Sequence, residues 1–175
     1  MKKTVDAFDY AGTICSALKT GVLLTTKFGD KTNTMTIGWG MVGREWNKPV
    51  FIAYVRESRY TRQLLDQSGV FTVNIPLQET DGQIIKICGT KSGRDVDKIQ
   101  ALRLTPVSGN KVDVPGLLEF PLTLECRVLY QRKQDISLLN DAIADRFYPI
   151  QNDCDSRDSH IVYYGEILDA YILEA

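Results

Sequence analysis

The chain has 175 residues, of which 43% are hydrophobic and 25% charged; this is ordinary globular usage and excludes disordered, collagen-like and coiled-coil classes. A chain of this length buries roughly 70% of the surface its unfolded form exposes, enough for one hydrophobic core, so a single domain over 1–175 is expected. A formal net charge of -1 offers no global field to a nucleic-acid backbone, so no nucleic-acid partner is expected and any anion site must be local.

Met1-Lys2-Lys3 is followed by Asp6 and Asp9, which interrupt the apolar run a signal peptide needs. No segment approaches the roughly 20 apolar residues of a membrane helix, so no membrane partner is expected. Cys15, Cys88, Cys126 and Cys154 are all 28 or more positions apart, which gives neither C-x-x-C nor metal-ligand spacing. A reducing, cytoplasmic setting without a metal fits best.

In chain order, Val22–Thr26 is β-branched or apolar and runs into the turn signal Phe28-Gly29-Asp30-Lys31. Thr32–Ile37 then alternates, which predicts a hairpin. Val50–Val55 is a continuous apolar run with Pro49 at its start, as in a buried strand. Ser58 is placed to cap a short helix through Leu65 that stops near Gly69, and Val70–Ile75 is a further strand closed by Pro76. A helix is expected from Thr80 to Gly89, with Ile84, Ile85 and Cys88 on one face, and a brief helical stretch after Lys91-Ser92-Gly93-Arg94 to about Arg103. Segment 105–121 holds three prolines and two glycines and reads as a long surface connection. Leu122–Tyr130 alternates as a strand, and Ser137–Tyr148 has helical apolar spacing. His160–Leu173 is the last strand or pair of strands, bent at Gly165. About six strands with helices inserted irregularly do not form βαβ units, so a mainly antiparallel barrel with helical insertions is predicted.

Gly38-Trp39-Gly40-Met41-Val42-Gly43 matches G-x-G-x-x-G, but Pro49 follows too soon for the helix on which that dinucleotide fingerprint depends. These glycines instead let the backbone bend or pass close to a flat ligand. Basic residues cluster at Arg44, Lys48, Arg56, Arg59 and Arg62, and again at Lys86, Lys91, Arg94, Lys98 and Arg103. From Asp135 onward nine acidic residues face two basic ones. Arg56-Glu57-Ser58-Arg59-Tyr60-Thr61 combines a helix start with hydroxyls and guanidinium groups, and Lys91-Ser92-Gly93-Arg94 combines a glycine turn with two cations and a hydroxyl. Both suit a phosphate. The bland alternative is a pair of solvated helix starts. Upstream of both lies Asn33-Thr34-Met35-Thr36-Ile37-Gly38-Trp39, a strand carrying amide, hydroxyl and aromatic groups. Together these describe a pocket for a planar ring bearing a phosphate, which suits flavin mononucleotide (FMN) better than pyridoxal phosphate.

Asn33-x-Met35-Thr36-x-Gly38-Trp39, Lys48-Pro49-Val50-Phe51 leading to Val55-Arg56-x-Ser58-Arg59-Tyr60-Thr61, Gly89-x-Lys91-Ser92-Gly93-Arg94-Asp95-x-Asp97-Lys98, and His160-x-x-Tyr163-x-Gly165-Glu166-Ile167 occur in that order. This series resembles the flavin reductase-like, FMN-binding split-barrel family, especially its flavoredoxin branch. The resemblance implies an antiparallel Greek-key split β-barrel that forms a homodimer, with non-covalent FMN near the interface. It implies that Asn33, Trp39, Thr61 and Lys91 approach the phosphate with Ser58 and Arg59 nearby, and that Met35, Thr36, Ile37 and Gly38 follow the ring system. Arg56, Tyr60 and Ser92 complete the implied cofactor-binding set, and Tyr163 and His160 fall near the isoalloxazine or the dimer seam.

His160 is the single histidine, but hydride transfer between nicotinamide and flavin needs stacked rings rather than a proton-transferring side chain, so a structural or interfacial role is favoured. Cys126, on an alternating strand, reads as a small buried hydrophobe. The function expected is an FMN-dependent oxidoreductase that takes electrons from NAD(P)H or a reduced protein donor. The alternative is a non-catalytic FMN-binding or electron-carrier protein without a nicotinamide site. Catalytic residues are not identified by the sequence.

Overall fold

The computed structural model describes residues 1–150 and 157–174; Cys154 lies outside them. Strands β1 (Lys2–Thr4), β2 (Val22–Phe28), β3 (Lys31–Ile37), β4 (Gly40–Glu45), β5 (Lys48–Arg56), β6 (Val70–Ile75), β9 (Leu122–Lys133) and β10 (His160–Leu173) form one antiparallel sheet. Its order is β3-β2-β6-β9-β10-β5-β4, with β1 alongside β10. The β9–β10 pair is inserted between β6 and β5, a Greek-key arrangement. β3 also comes against β5, so the ends of the sheet approach each other as a barrel that is not hydrogen-bonded shut. The mainly β, antiparallel reading therefore stands.

The helices are α1 (Ala11–Ala17), α2 (Tyr60–Ser68), α3 (Gly82–Thr90), α4 (Lys98–Ala101) and α5 (Asp141–Phe147). Inside the barrel, Leu24, Phe51, Phe71, Leu124, Cys126 and Tyr163 belong to one core cluster. A second cluster, Leu23, Cys88, Leu104, Leu117 and Phe120, lies with Ile84, Ile85 and Ile99 of α3 and α4 packed against it. That second cluster fixes where the loop from Thr90 to Lys98 must run. The bend expected at Gly165 is present as a register shift against β9, and a Cβ there would lie 2.5 Å from Cζ of Phe71, so the bulge is compatible only with glycine.

The observed elements depart from the expected ones where local chemistry overrides pattern. Segment 40–45 is a strand rather than a bend, because Trp46 and Asn47, both at positive φ, form a two-residue turn that pairs it with β5. α2 begins after Arg59 rather than Ser58. α3 begins after Asp81, whose carboxylate accepts from the Gln83 amide at 2.8 Å, and not at Thr80. The helix expected over Ser137–Tyr148 is divided. A 3-10 turn spans Ile136–Leu138, and α5 starts only after Asn140 caps Ala142 at 3.0 Å. Segment 105–121 carries the small hairpin β7 (Pro106–Val107) and β8 (Gly116–Leu117).

Candidate functional site

β3 ends the strand order, so one of its backbone edges has no sheet partner. Along it runs a groove built from β3, the ends of β5 and β10, the start of α2 and the loop from α3 to α4. Its first recess, about 130 Å3, is lined by Asn33, Met35, Ser58, Arg59, Tyr60, Thr61, Lys91, Ser92, Gly93, Arg94 and Lys98, with Cys88 and Thr90 at its wall. Its second, about 140 Å3, is lined by Met35, Thr36, Ile37, Gly38, Trp39, Tyr54, Arg56, Arg59 and His160. Met35 and Arg59 belong to both. Each recess continues into a wider depression, one of about 640 Å3 past Tyr60 and Arg94 and one of about 490 Å3 past Gly38 and Trp39.

The first recess is cationic. α2 is opened by Arg59, which makes no side-chain cap, so first-turn amides are left for another acceptor. Asn33 and Thr61 are both buried, and the Asn33 amide donates to Oγ1 of Thr61 at 2.7 Å. The Thr61 hydroxyl keeps its own proton to donate. Gly93 closes over this pair so tightly that a Cβ would lie 2.1 Å from Asn33 Oδ1. Arg94 stacks over Tyr60 at 5.1 Å. Lys98 is only 3% exposed, and burial lowers its pKa, with Arg59 adding repulsion and Cys88 acting in the opposite direction. The Cys88 thiol is itself pushed up to about 11 by burial, with Lys98 opposing, so it is a neutral neighbour at pH 7. None of the six ion pairs among the described residues involves Arg59, Lys91, Arg94 or Lys98.

The second recess is aromatic, and its Arg56 and His160 are held by the protein's own groups. Arg56 donates through Nη1 to the Asp158 carbonyl at 2.7 Å and through Nη2 to the Phe147 carbonyl at 2.8 Å. Trp39 meets His160 at 4.8 Å between ring centroids and Phe147 edge-on at 5.3 Å. His160 Nδ1 and the Tyr148 hydroxyl are 2.8 Å apart, and that hydroxyl donates to Gln134 Oε1 at 2.8 Å. A phenol has one proton to donate, so Nδ1 carries the imidazole proton and Nε2 is left as an acceptor. Burial, reinforced by Arg56, pulls the His160 pKa down to about 4, which keeps the ring neutral at pH 7.

The structure brings every residue of the implied cofactor-binding set to one recess or the other, but it regroups some. Trp39 stands with the aromatic recess and not with Asn33, Thr61 and Lys91, because β3 has ended and the chain has turned toward β4 before it. The Ser58 hydroxyl does not cap α2; with its amide it donates to the Asp158 carboxylate, at 2.7 and 3.1 Å. Thr36 Oγ1 is committed to the Ile85 carbonyl at 2.7 Å, tying α3 to β3. Tyr163 lines neither recess. It is fully buried, with its hydroxyl on Asp66 at 2.6 Å, and serves the core. Cys126 is a buried core thiol whose pKa burial raises, in accord with the reading of a small hydrophobe. Gly93 and Arg94, part of the glycine turn read as suiting a phosphate, do line the groove; Tyr54 and Lys98 join them without a signal of their own, since only burial distinguishes Lys98 from a solvated lysine.

Residues 16–175 match the family described as flavin reductase like domain. An uncharacterized protein of Archaeoglobus fulgidus is 36% identical over 100 residues, a stretch that is 57% of this chain and 55% of that protein, so little more than half of either is aligned. Among solved structures, flavoredoxin of Desulfovibrio vulgaris (Miyazaki F) superposes with a TM-score of 0.65 at 25% identity, covering 88% of this chain and 69% of that one. Flavoredoxin from Methanosarcina acetivorans gives 0.64 at 25% identity, covering 88% and 68%. Nitrilotriacetate monooxygenase component B from Bacillus cereus gives 0.65 at 16% identity over 98% and 82%, a likeness of fold. No helix among the described residues is long and apolar enough to cross a membrane.

Proposed function

Because the chain belongs to the flavin reductase-like family, we propose that it binds FMN non-covalently and passes electrons from NAD(P)H or a reduced protein donor to an acceptor. The observation that carries this reading is the division of one groove into a recess lined by Arg59, Lys91, Arg94 and Lys98, which have no ion pair among the described residues, and an adjoining recess where Met35, Ile37, Trp39, Tyr54 and His160 stand beside Arg56 and Arg59. A phosphate is dianionic or nearly so, and suits the first; a planar ring suits the second. The residues present fit the group: a buried lysine without an ion pair among the described residues, a helix start without a side-chain cap, and a glycine where a side chain would close the recess.

Thr61, Lys91, Arg59 and Lys98 would hold the phosphate, through charge-assisted bonds of roughly 1.5–3 kcal/mol each. Met35, Ile37, Gly38 and the free edge of β3 would border the ring. Neutral His160, fixed by Tyr148, offers Nε2 as an acceptor and no positive charge. When bound, FMN supplies the one- and two-electron chemistry that these side chains lack. The largely apolar depression past Gly38, Trp39 and Tyr54 gives room for a second planar group next to the ring recess. The reading includes a homodimer with the cofactor near its interface and a cytoplasmic setting, the latter supported by free thiols at Cys15, Cys88 and Cys126.

The test is the visible spectrum of the purified protein after FMN addition and desalting, followed by anaerobic NADH and then NADPH. Retained flavin that bleaches with either nucleotide supports the proposal. Retained flavin that resists both points to a carrier fed by a protein donor. Absence of retained flavin together with absence of flavin-dependent NAD(P)H turnover overturns it. Light scattering that finds a monomer overturns the dimer.

A further inference from the structure

Lys98 is the most deeply buried charged group of the groove, at 3% exposure, and among the described residues its ammonium has neither a hydrogen bond nor an ion pair. The neighbouring carboxylate, Asp97, is engaged elsewhere: it caps α4 by accepting from the Gln100 amide at 3.1 Å. The side chains that do influence Lys98 are a neutral thiol, Cys88, and a second cation, Arg59. A buried cation in such company destabilises the protein that holds it. Its backbone position is nevertheless held firmly, because Ile99 and Leu102 pack on the second core cluster. The recess that Lys98 lines also receives Lys91, Arg59 and the first turn of α2.

We propose that Lys98 is a buried counter-charge reserved for a phosphate monoester, so that it weakens the empty protein and makes binding depend on the phosphate rather than on the ring. The proposal rests on the flavin reading of the groove and deepens it. It separates Lys98 from Lys91 and Arg94: these are exposed, where water solvates an ammonium or guanidinium freely, whereas Lys98 meets solvent only through the recess it lines. One residue therefore governs two quantities in opposite directions, the stability of the empty protein and the preference for FMN over riboflavin, which lacks the phosphate.

The experiment compares wild type with Lys98→Met and Lys98→Arg. Flavin fluorescence titration with FMN and with riboflavin gives the affinities, and thermal melts of the flavin-free proteins are run with and without inorganic phosphate. Lys98→Met is expected to melt at or above wild type, to bind FMN about 10- to 100-fold more weakly, and to bind riboflavin unchanged. Lys98→Arg is expected to recover part of the FMN affinity. The proposal is overturned if Lys98→Met keeps the wild-type ratio of FMN to riboflavin affinity. It is equally overturned if that variant melts lower or does not fold, since the ammonium is then already serving the empty protein. Should wild type bind neither flavin, the flavin reading itself fails, and the phosphate arm decides for Lys98: stabilisation of wild type but not of Lys98→Met supports the counter-charge, and an equal response overturns it.

Discussion

At one end of the groove Arg56 directs both terminal nitrogens at backbone carbonyls and His160 is tied to Tyr148, whereas at the other end Arg59, Lys91 and Lys98 have no ion pair among the described residues. Both ends carry arginine at a strand or helix boundary, yet only one has finished its electrostatics within the protein. The aromatic end is a preorganised surface whose Arg56 guanidinium and His160 Nδ1 are already engaged by the protein, and mutation of those groups acts on folding. The cationic end carries uncompensated charge, and mutation there acts on whatever anion it receives.

The sharpest way to break this contrast is to fill the cationic end. Gly93→Ala places a methyl group 2.1 Å from Oδ1 of the buried Asn33 and 2.9 Å from the Tyr60 ring, and Asn33 cannot move aside without leaving Thr61. Overpacking of this kind typically costs about 1–3 kcal/mol, and here it falls on the recess itself. FMN affinity is expected to drop about 100-fold by fluorescence titration while far-ultraviolet circular dichroism stays native; undiminished affinity would remove the recess from the cofactor site.

At the aromatic end Arg56→Ala should do the reverse. Losing two charge-assisted bonds to the Phe147 and Asp158 carbonyls is expected to lower stability by about 2 kcal/mol in denaturant unfolding, with an FMN-to-riboflavin affinity ratio close to wild type. A collapse of that ratio without loss of stability would place Arg56 on the phosphate and dissolve the distinction between the two ends.

The contrast also has a pH signature. His160 is held at about 4 in the fold against an ordinary value of 6.5, so the unfolded chain takes the proton first. Its contribution is fully present above pH 6.5 and is lost as pH falls from there toward 4. Between pH 7 and 5 this amounts to about 2 kcal/mol, and His160→Gln should flatten that part of the stability profile. An unchanged profile would mean that the imidazole is solvated in the fold and the aromatic end less closed than its contacts indicate.

Much of this was legible in the chain, and the failures have common physical causes. Alternation and apolar runs located β2, β3, β5, β6, β9 and β10 because each buries at least one face. β4 escaped because glycines at 40 and 43 weaken any strand pattern, and because tryptophan at position 46 does not announce a positive-φ turn. The groove residues were legible as chemistry, since hydroxyls and cations beside helix starts have few other uses in combination. Which end each would serve was not, because Trp39 and Lys91 are set apart by tertiary path rather than by spacing. Lys98 marks the limit most clearly: nothing local distinguishes a lysine that faces bulk water from one folded into a recess at 3% exposure.

The smallest effect, and the most discriminating for the cationic end, is the comparison of Lys91→Ala with Lys27→Ala. Lys91 follows α3, lines the cationic recess and has no acidic partner among the described residues, so its removal should weaken FMN binding about 10- to 30-fold, near 1.5–2 kcal/mol. Lys27 donates to both Asp113 oxygens at 2.8 Å on another face, and an exposed pair of this kind contributes about 0–1 kcal/mol, so its loss should leave FMN affinity unchanged. Both variants lower the net charge equally, so any attraction of the flavin by overall charge cancels between them. Equal weakening would assign the effect to that overall field, whereas a difference confined to Lys91 and absent with riboflavin assigns it to the phosphate.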